Sequence, residues 1–305
     1  MRLTLIVSAY VFLGLAGDAA GQVAAPLNAA APEVRRWAAA SLNALGSSSR
    51  WPAAWRSLES GDLDQFMSEA RDYTRVFPSP GGQVAAVVTW SRPADAKRGL
   101  EVTARVSVRD VRGVELRSFP IEPLSAVDIA DDGAFLVAYG ERMDRLIRCG
   151  VQQTRLAFYD LAGRELAHFE PLDLAPSYTT AILTSARRFV ITATGRVIAH
   201  DLAGTGVAWT LPLEERSARP YLSLDPRSEQ LAVVVNRKAG DTQIRTLDSN
   251  GKQLAIETLR GRINPGSGVA SHDGLWVVQQ IEDDLATFHL LDPTTLRSLR
   301  SVAAN

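Results

Sequence analysis

The chain has 305 residues, of which 46% are hydrophobic and 22% are charged, and its formal net charge is −1. This length can bury a large core in one or two domains, and the composition is that of an ordinary globular protein. The near-neutral charge argues against nucleic acid or an anionic membrane surface as a partner. The single cysteine, Cys149, excludes an intramolecular disulfide. We interpret it as an incidental loop residue, with a reactive thiol or an intermolecular bridge as the alternative.

Residues 1–21 have the pattern of a secretory signal peptide. Arg2 supplies a short positive region, and residues 3–15 are apolar but too short to span a bilayer comfortably. Ala19, Ala20 and Gly21 then offer the small side chains of a cleavage site. We therefore expect an exported protein, periplasmic or extracellular, with no membrane span once the signal is removed. An uncleaved N-terminal anchor is the alternative.

Residues 22–72 combine an Ala-rich linker with a helical pattern. Apolar residues recur at helical spacing over residues 34–45, and a further helix is predicted over about residues 62–72. Three tryptophans, Trp37, Trp51 and Trp55, fall in this region and are costly to leave in water. We interpret the segment as a helical cap packed on the main domain. A lid or a partner-binding helix is the alternative.

Residues 73–305 contain a recurring turn of the pattern Asp-x-x-Gly. The turn begins at Asp110, Asp160, Asp201 and Asp248, and a degenerate copy begins at Asp292. The copies lie about 41–50 residues apart, which is the length of one four-stranded propeller blade. Asp suits this turn because it accepts backbone hydrogen bonds, and Gly supplies the positive φ that closes it. Each Asp is therefore interpreted as a turn residue.

Each repeat offers four short strands, which we name a, b, c and d in chain order. Apolar residues stand four and two positions before each turn and alternate with polar neighbours, so that each pair lies on one face of the c strand. The predicted fold is mainly β: a β-propeller of about five four-stranded blades with a short helical N-terminal segment. That segment either completes a ring or caps an edge. An open ring would expose a sheet edge, and in that case we predict a dimer.

Two repeated features resemble known propeller families. The Asp-Gly turns followed by an apolar run, such as Asp132-Gly133, resemble those of WD40-like bacterial propellers. The hairpin from His200 to Trp209 resembles the quinoprotein (PQQ-type) repeat, in which Asp-x-x-Gly precedes a Trp on the next strand. The resemblance covers about three quarters of the chain. It implies a propeller fold but no bound quinone, because only one copy keeps the Trp and the units are too few. We expect no cofactor.

The sequence places a candidate binding site on one face of the propeller. The b–c loops and the d–a connections share this face, which we call the loop face, and the longest b–c loops belong to the first two units. Loops on a rigid scaffold usually carry binding residues. The alternative is that these charges only solvate the loop tips. The candidate residues are Arg92, Lys97, Arg98, Arg142, Asp144, Arg145 and Arg148.

No motif for enzymatic chemistry stands out. The sequence has no Gly-x-Ser-x-Gly elbow and no phosphate-binding loop. Its four histidines lack the spacing of metal ligands, so we expect no metal. The enzyme alternative is a glycosidase-like or lactonase-like hydrolase with carboxylates or a metal at the central channel. Its candidate carboxylates are Asp128, Asp225 and Asp273.

The preferred hypothesis is a non-enzymatic binding platform. Its partner would be another protein or a component of the cell envelope. The hydrolase hypothesis differs in a testable way, because it requires at least two carboxylates that converge in the channel.

Overall fold

The structure is a computed structural model that describes residues 51–68, 71–92, 102–143, 154–172, 179–202, 206–215, 218–263, 269–272, 275–282 and 285–304. The predicted signal peptide, the predicted helix at residues 34–45 and Cys149 lie outside these ranges. Two short helices precede the strands: α1 (Ala53–Arg56) and α2 (Leu63–Ser68). None of the helices in the described ranges is long and apolar enough to cross a membrane.

The strands form five antiparallel sheets, and in the first four along the chain neighbouring strands follow one another in sequence. Blade 1 contains β1 (Tyr73–Pro78), β2 (Val84–Ser91), β3 (Thr103–Asp110) and β4 (Glu115–Ile121). Blade 2 contains β5 (Leu124–Ile129), β6 (Phe135–Arg142), β7 (Thr154–Asp160) and β8 (Glu165–Leu172). Blade 3 contains β9 (Thr180–Leu183), β10 (Arg188–Ala193), β11 (Arg196–Asp201) and β12 (Val207–Pro212).

The last two sheets complete the repeat. Blade 4 contains β13 (Tyr221–Asp225), β14 (Gln230–Asn236), β15 (Asp241–Leu247) and β16 (Gln253–Arg260). Blade 5 contains β17 (Arg262–Ile263), β18 (Val269–His272), β19 (Leu275–Glu282), β20 (Leu285–Leu291) and β21 (Ser298–Ala304). In blade 5 the short strands β17 and β18 both pair with β19, one after the other along its edge.

The Asp-x-x-Gly turns close the c–d hairpins as predicted. Asp110 Oδ1 accepts hydrogen bonds from the backbone N–H groups of Arg112 and Val114, both at 2.9 Å. Asp160 and Asp248 accept the equivalent pairs in blades 2 and 4. These backbone bonds hold the pKa of the Asp110 and Asp160 carboxyls below the usual value. The interpretation of these Asp residues as turn residues is confirmed.

Apolar side chains fill the space between successive blades. Separate buried clusters join blade 1 to blade 2, blade 2 to blade 3, blade 3 to blade 4, and blade 4 to blade 5. The first strands of successive blades lie next to each other, so these strands are innermost. This arrangement confirms the predicted β-propeller of four-stranded blades with a short helical segment before it.

Hydrogen bonds also cross these four interfaces between blades, which we call seams. At the first three seams, a backbone N–H of one a–b turn donates to a side chain in the a–b turn of the next blade. Such bonds cost little entropy, because short turns hold their donors and acceptors in place. At the fourth seam the bond joins two strand side chains. The four bonds are Gly81 N–H to Asp131 Oδ1 (2.6 Å), Asp131 N–H to Thr184 Oγ1 (2.9 Å), Ser185 N–H to Glu229 Oε1 (2.7 Å) and Ser271 Oγ to Asp225 Oδ1 (2.9 Å).

The helical segment packs on blade 1. Trp55 is only 1% exposed and lies against Val76, Ala85 and Val87. Its indole Nε1 donates to the Asp110 carbonyl oxygen at 2.7 Å. Farther along, Ser60 pairs with Thr74 of β1 as an isolated antiparallel bridge. The cap interpretation is therefore confirmed for this part of the segment.

An aromatic side chain of one blade lies on a turn glycine of the next. A Cβ placed on Gly251 would lie 2.6 Å from the ring of Trp209, which belongs to the preceding blade. A Cβ on Gly163 would lie 2.5 Å from Phe119 in the same way. These two turns therefore require glycine both for the close approach and for the positive φ.

Candidate functional site on the loop face

The structure describes two of the predicted loop-face residues. Arg92 follows β2, and Arg142 ends β6, so both stand where a b–c loop begins. The remaining candidates, Lys97, Arg98, Asp144, Arg145 and Arg148, lie outside the described residues. The prediction that these residues form a binding surface stays a prediction.

Arg142 belongs to a cluster around Glu122, which lies in the connection between β4 and β5. Arg155 of β7 approaches Glu122 Oε1 to 2.9 Å, and Arg142 approaches the same oxygen to 3.7 Å. His168 Nδ1 of β8 lies 3.6 Å from Glu122 Oε2. We call Glu122, Arg142, Arg155 and His168 the Glu122 cluster. The strand ends and the d–a connection bring its members together at the seam between blades 1 and 2.

Burial in the Glu122 cluster is uneven. The side chains of Glu122 and Arg155 are 13% and 15% exposed, whereas that of Arg142 is 32% exposed. The backbone N–H of Glu122 donates to the Tyr159 hydroxyl at 2.9 Å. Burial raises the pKa of Tyr159 to about 12, so this hydroxyl stays neutral and keeps its role as acceptor. The inner pair is thus anchored, and the outer guanidinium is more accessible to solvent.

A second cluster repeats this arrangement around Glu214, in the connection between β12 and β13. Arg237 lies 2.7 Å from Glu214 Oε2, and Arg245 lies 3.1 Å from Glu214 Oε1. Arg245 also donates from Nε to Gln243 Oε1 at 2.8 Å, and Asp241 lies 3.4 Å from Arg237. The hydrogen bond that Arg237 donates to Glu214 is the main reason that the pKa of Arg237 is raised. We call Glu214, Arg237, Arg245 and Asp241 the Glu214 cluster.

The two clusters have the same arrangement of side chains. In each, a glutamate from the d–a connection receives one arginine from the end of the b strand and one from the c strand. Sequence analysis did not identify Glu122, Arg155, Glu214, Arg237 or Arg245. The available signal was an acidic residue beside a proline in the connection, since Glu122 precedes Pro123 and Glu214 follows Pro212 by two positions.

Asp225, one of the predicted channel carboxylates, bonds to its own turn and to the next blade. It is 6% exposed, and its Oδ2 accepts from the Ser228 hydroxyl at 2.5 Å. Its Oδ1 accepts from the Ser271 hydroxyl of blade 5 at 2.9 Å. Asp273 lies outside the described residues. The convergence of Asp225 or Asp273 with Asp128 stays a prediction.

Asp128 lies at the seam between blades 2 and 3. Its Oδ1 accepts from the Tyr139 hydroxyl at 3.3 Å, and the same hydroxyl lies 3.0 Å from Thr180 Oγ1 of blade 3. The Asp128 Oδ2 is buried and has no hydrogen-bond partner in the described part of the chain. Burial raises the pKa of Asp128 to about 6, although the bonds from Thr180 and Tyr139 oppose this rise.

His200 and His289 lie in different blades. His200 is 2% exposed and packs against Phe158 and Phe169, with ring centroids 6.0 and 4.8 Å away. The ring of His289 lies between Gln280 Oε1 and Ser301 Oγ, at 2.6 and 2.8 Å. Over the ranges that the structure describes, no group of three or more His, Cys, Asp or Glu side chains is arranged to hold a metal.

Comparison with known proteins gives matches only among solved structures. No family model and no curated protein matches the chain. It is similar to a eukaryotic initiation factor structure at 13% identity and a TM-score of 0.43, over 78% of this chain and 66% of that chain. It is also similar to the dihydro-heme d1 dehydrogenase NirN, with 16% identity and a TM-score of 0.46. The match covers 76% of this chain and 46% of that chain, so this chain spans less than half of NirN.

A third similar structure is the β-propeller domain of Cps50 (Swd1) from Myceliophteria thermophila. The identity is 10% and the TM-score 0.43, over 75% of this chain and 72% of that chain. Similarities at this level carry no information on function. The assignment of the fold comes from the chain itself, with its four-stranded antiparallel sheets, their apolar seams and their Asp-x-x-Gly turns. The described strands make this chain a β-propeller with degenerate four-stranded repeats.

Proposed function

We propose that the protein is an exported, non-enzymatic binding platform that holds a protein or cell-envelope partner on its loop face. The observation that supports this proposal is the pair of arginine clusters, because each joins two guanidinium groups to one shared glutamate. Both clusters lie where a b–c strand end meets a d–a connection. The partner that they favour presents carboxylates or other acidic groups.

In each cluster one arginine is more buried than the other, and this difference supports an acidic partner. The more buried arginines, Arg155 and Arg245, hold the glutamates, and their side chains are 15% and 10% exposed. Arg142 and Arg237 are 32% and 28% exposed and face the solvent more openly. A guanidinium is planar, always charged and matched in shape to a carboxylate. A carboxylate of the partner would therefore meet positively charged groups whose positions the glutamates already fix.

The hydrolase alternative has less support. It needs two carboxylates close to one another, and both oxygens of Asp225 accept hydrogen bonds from serine hydroxyls. Asp128 is bonded to Tyr139 at a blade seam. No specific observation favours hydrolysis over binding.

The export part of the proposal has its own test. The N-terminal pattern of residues 1–21 supports it, and cell fractionation followed by N-terminal sequencing of the purified protein would examine it. We expect the protein in the periplasm or medium, beginning near residue 20 to 22. A cytoplasmic protein that retains Met1 or Arg2 at its N-terminus would refute export.

The binding part is tested with a defined acidic probe and with two matched double variants. The probe is a fluorescent oligoglutamate peptide, and binding is read by anisotropy at low and at physiological salt. Arg142→Ala with Arg237→Ala should weaken binding at least tenfold. The control, Arg112→Ala with Arg164→Ala, removes the same charge from c–d turns on the opposite face, where both side chains are more than 75% exposed. Equal weakening by both variants would contradict a specific loop-face site.

A partner in the cell is sought by crosslinking in intact cells. The Arg142/Arg237 variant should lose a specific crosslinked product that the Arg112/Arg164 variant retains. Retention by both variants would overturn the assignment of the clusters to binding.

A further inference from the structure

Asp128 occupies a register position that carries no carboxyl in the neighbouring blades. In blades 1 to 4 the a–b turn has four residues between the last backbone-paired positions, which are Ser79 and Val84, Ala130 and Phe135, Leu183 and Arg188, and Asp225 and Gln230. Two positions before the turn's first paired residue stand Phe77 in blade 1, Asp128 in blade 2, Ala181 in blade 3 and Ser223 in blade 4. Their cross-strand partners are, in the same order, Ala86, Val137, Val190 and Ala232. A carboxyl group therefore replaces a small or apolar side chain at the seam after blade 2.

The surroundings of Asp128 belong to that seam. Its cross-strand partner Val137 is part of the apolar cluster that joins blades 2 and 3. The Tyr139 ring, two positions along, packs on Phe189 of blade 3 with the centroids 5.5 Å apart. The Tyr139 hydroxyl lies between the Asp128 carboxyl and Thr180 Oγ1. One phenol thus connects the carboxyl group of one blade with the innermost strand of the next.

Within the described part of the chain, no opposite charge contacts the carboxylate of Asp128. The groups facing Asp128 from the elements packed against it are the Tyr139 phenol of β6 and the Thr180 hydroxyl of β9. β6 also carries Glu141 and Arg142, and β10 carries Arg188, but none of these contacts the carboxyl of Asp128 in the described structure. An ionised carboxylate with a buried oxygen and no cationic partner destabilises its site, whereas the neutral acid does not.

We propose that Asp128 makes the seam between blades 2 and 3 a proton-responsive joint, closed when the carboxyl is protonated and loosened when it is ionised. The a–b turns stay tethered in both states, because the bond from Asp131 N–H to Thr184 Oγ1 involves no titrating group. Loosening about this tether would shift the loops of blade 2 relative to those of blade 3. The proposal does not depend on the identity of any partner.

The sign of the pH dependence follows from the environment of the carboxyl. Burial raises the pKa of Asp128 from the usual value near 3.8 to about 6. The folded seam therefore binds a proton more tightly than the open one, and its stability is greatest below about pH 4. That stability is lost as the pH rises from about 4 to about 6. Above this range the seam stays in its looser state.

Hydrogen exchange of the whole protein, corrected for intrinsic rates, tests the proposal by comparing the wild type with Asp128→Asn at pH 4.5 and 7.5. His200 packs on Phe158 at the same seam and titrates with the opposite effect on stability, but it contributes equally to both proteins. Relative to Asp128→Asn, peptides from β5, β6, β9 and β10 of the wild type should lose protection about tenfold or more at the higher pH, while those from blade 4 should not differ. The control Asp132→Asn changes an exposed turn carboxyl of the same blade and should behave as the wild type.

Equal pH dependence in the wild type and in Asp128→Asn would overturn the proposal. A second measurement covers the case in which Asp128→Asn does not fold. Tyr139→Phe removes the hydroxyl that favours the carboxylate, so the midpoint of the exchange transition should move to higher pH. An unchanged or lower midpoint in Tyr139→Phe would also contradict the proposal.

Discussion

The indole Nε1 of Trp55 donates a hydrogen bond to the carbonyl oxygen of Asp110, 2.7 Å away. Trp209 makes a comparable contact at the seam between blades 3 and 4, where its Nε1 lies 3.4 Å from the carbonyl oxygen of Ser249. Both acceptors belong to an Asp-x-x-Gly turn. The turn of blade 4 thus receives its tryptophan from blade 3. Blade 1 receives the equivalent tryptophan, Trp55, from the helical segment. Ala54 beside it lies against the turn glycine, Gly113.

We expect Trp55→Ala to destabilise the protein strongly. The substitution empties a site that is 1% exposed and also removes a hydrogen bond, so the free energy of unfolding should fall by about 3–5 kcal/mol. Urea unfolding followed by circular dichroism measures the change. Trp51, which is half-buried at the margin of the same cluster, is the control, and Trp51→Ala should cost less than half as much. Equal costs would contradict the docking role of Trp55.

Two glycine substitutions should separate backbone strain from docking. Gly251 and Gly82 have φ values of 79° and 68°, so alanine at either position costs about 1–2 kcal/mol of backbone strain. Only at Gly251 would the new Cβ strike Trp209, whereas nothing lies within 4 Å of the Cβ position at Gly82. Gly251→Ala should therefore cost about 1–3 kcal/mol more than Gly82→Ala in the free energy of unfolding. Similar losses of unfolding free energy in the two variants would contradict the close packing of Trp209 on Gly251.

His200 should make the protein sensitive to acid. Burial lowers the pKa of His200 to about 4, against 6.5 in an unfolded chain. The folded state thus takes up this proton less readily, and stability is lost as the pH falls from about 6.5 to about 4. The loss amounts to about 3 kcal/mol at the acid end.

His200→Leu tests this pH dependence. The leucine variant should be at least as stable as the wild type at pH 7, because both imidazole nitrogens are buried and have no hydrogen-bond partner among the described residues. Its advantage in free energy of unfolding should widen between pH 6.5 and pH 4.5. A constant difference across that range would show that His200 does not titrate as its burial requires.

The two glutamates of the arginine clusters should differ in their effect on stability. Glu122→Gln leaves Arg155, which is 15% exposed, without its nearest carboxylate, and the free energy of unfolding should fall by about 2–4 kcal/mol. Glu214 is 61% exposed, so Glu214→Gln should cost less than about 1 kcal/mol. Thermal unfolding at matched pH compares them. A larger loss for Glu214→Gln would indicate that burial does not govern these ion pairs.

Local chemistry explains what could be predicted from the sequence. The turn at Asp248 needs only residues within four positions of it, so the motif itself specifies the turn. The recurrence of that turn then indicated the length of a blade. The resemblance of the hairpin around Trp209 to a propeller repeat also rested on neighbouring residues. Predictions that needed only such short-range relations agree with the described structure.

Contacts between residues that are far apart in the chain could not be predicted from the sequence. Glu122 and Arg155 are 33 positions apart, and nothing near either residue marks the other. Asp225 was predicted as a channel carboxylate, yet it also bonds to Ser271, 46 positions later. In the sequence, nothing distinguishes Asp128 from other polar residues of the strands. Only the pairing register shows that the equivalent positions in blades 1, 3 and 4 carry no carboxyl group.

Backbone preferences and the spacing of apolar residues were enough to predict the four-stranded repeat and its Asp-x-x-Gly turns from the sequence. The folded structure was needed to show which side chains meet across the seams: Trp55 on the first blade, two arginines on each connecting glutamate, and Tyr139 between Asp128 and Thr180. The reason is physical. Contacts across a seam depend on how twisted sheets pack against one another, and that packing brings together residues whose separation in the chain carries no signal.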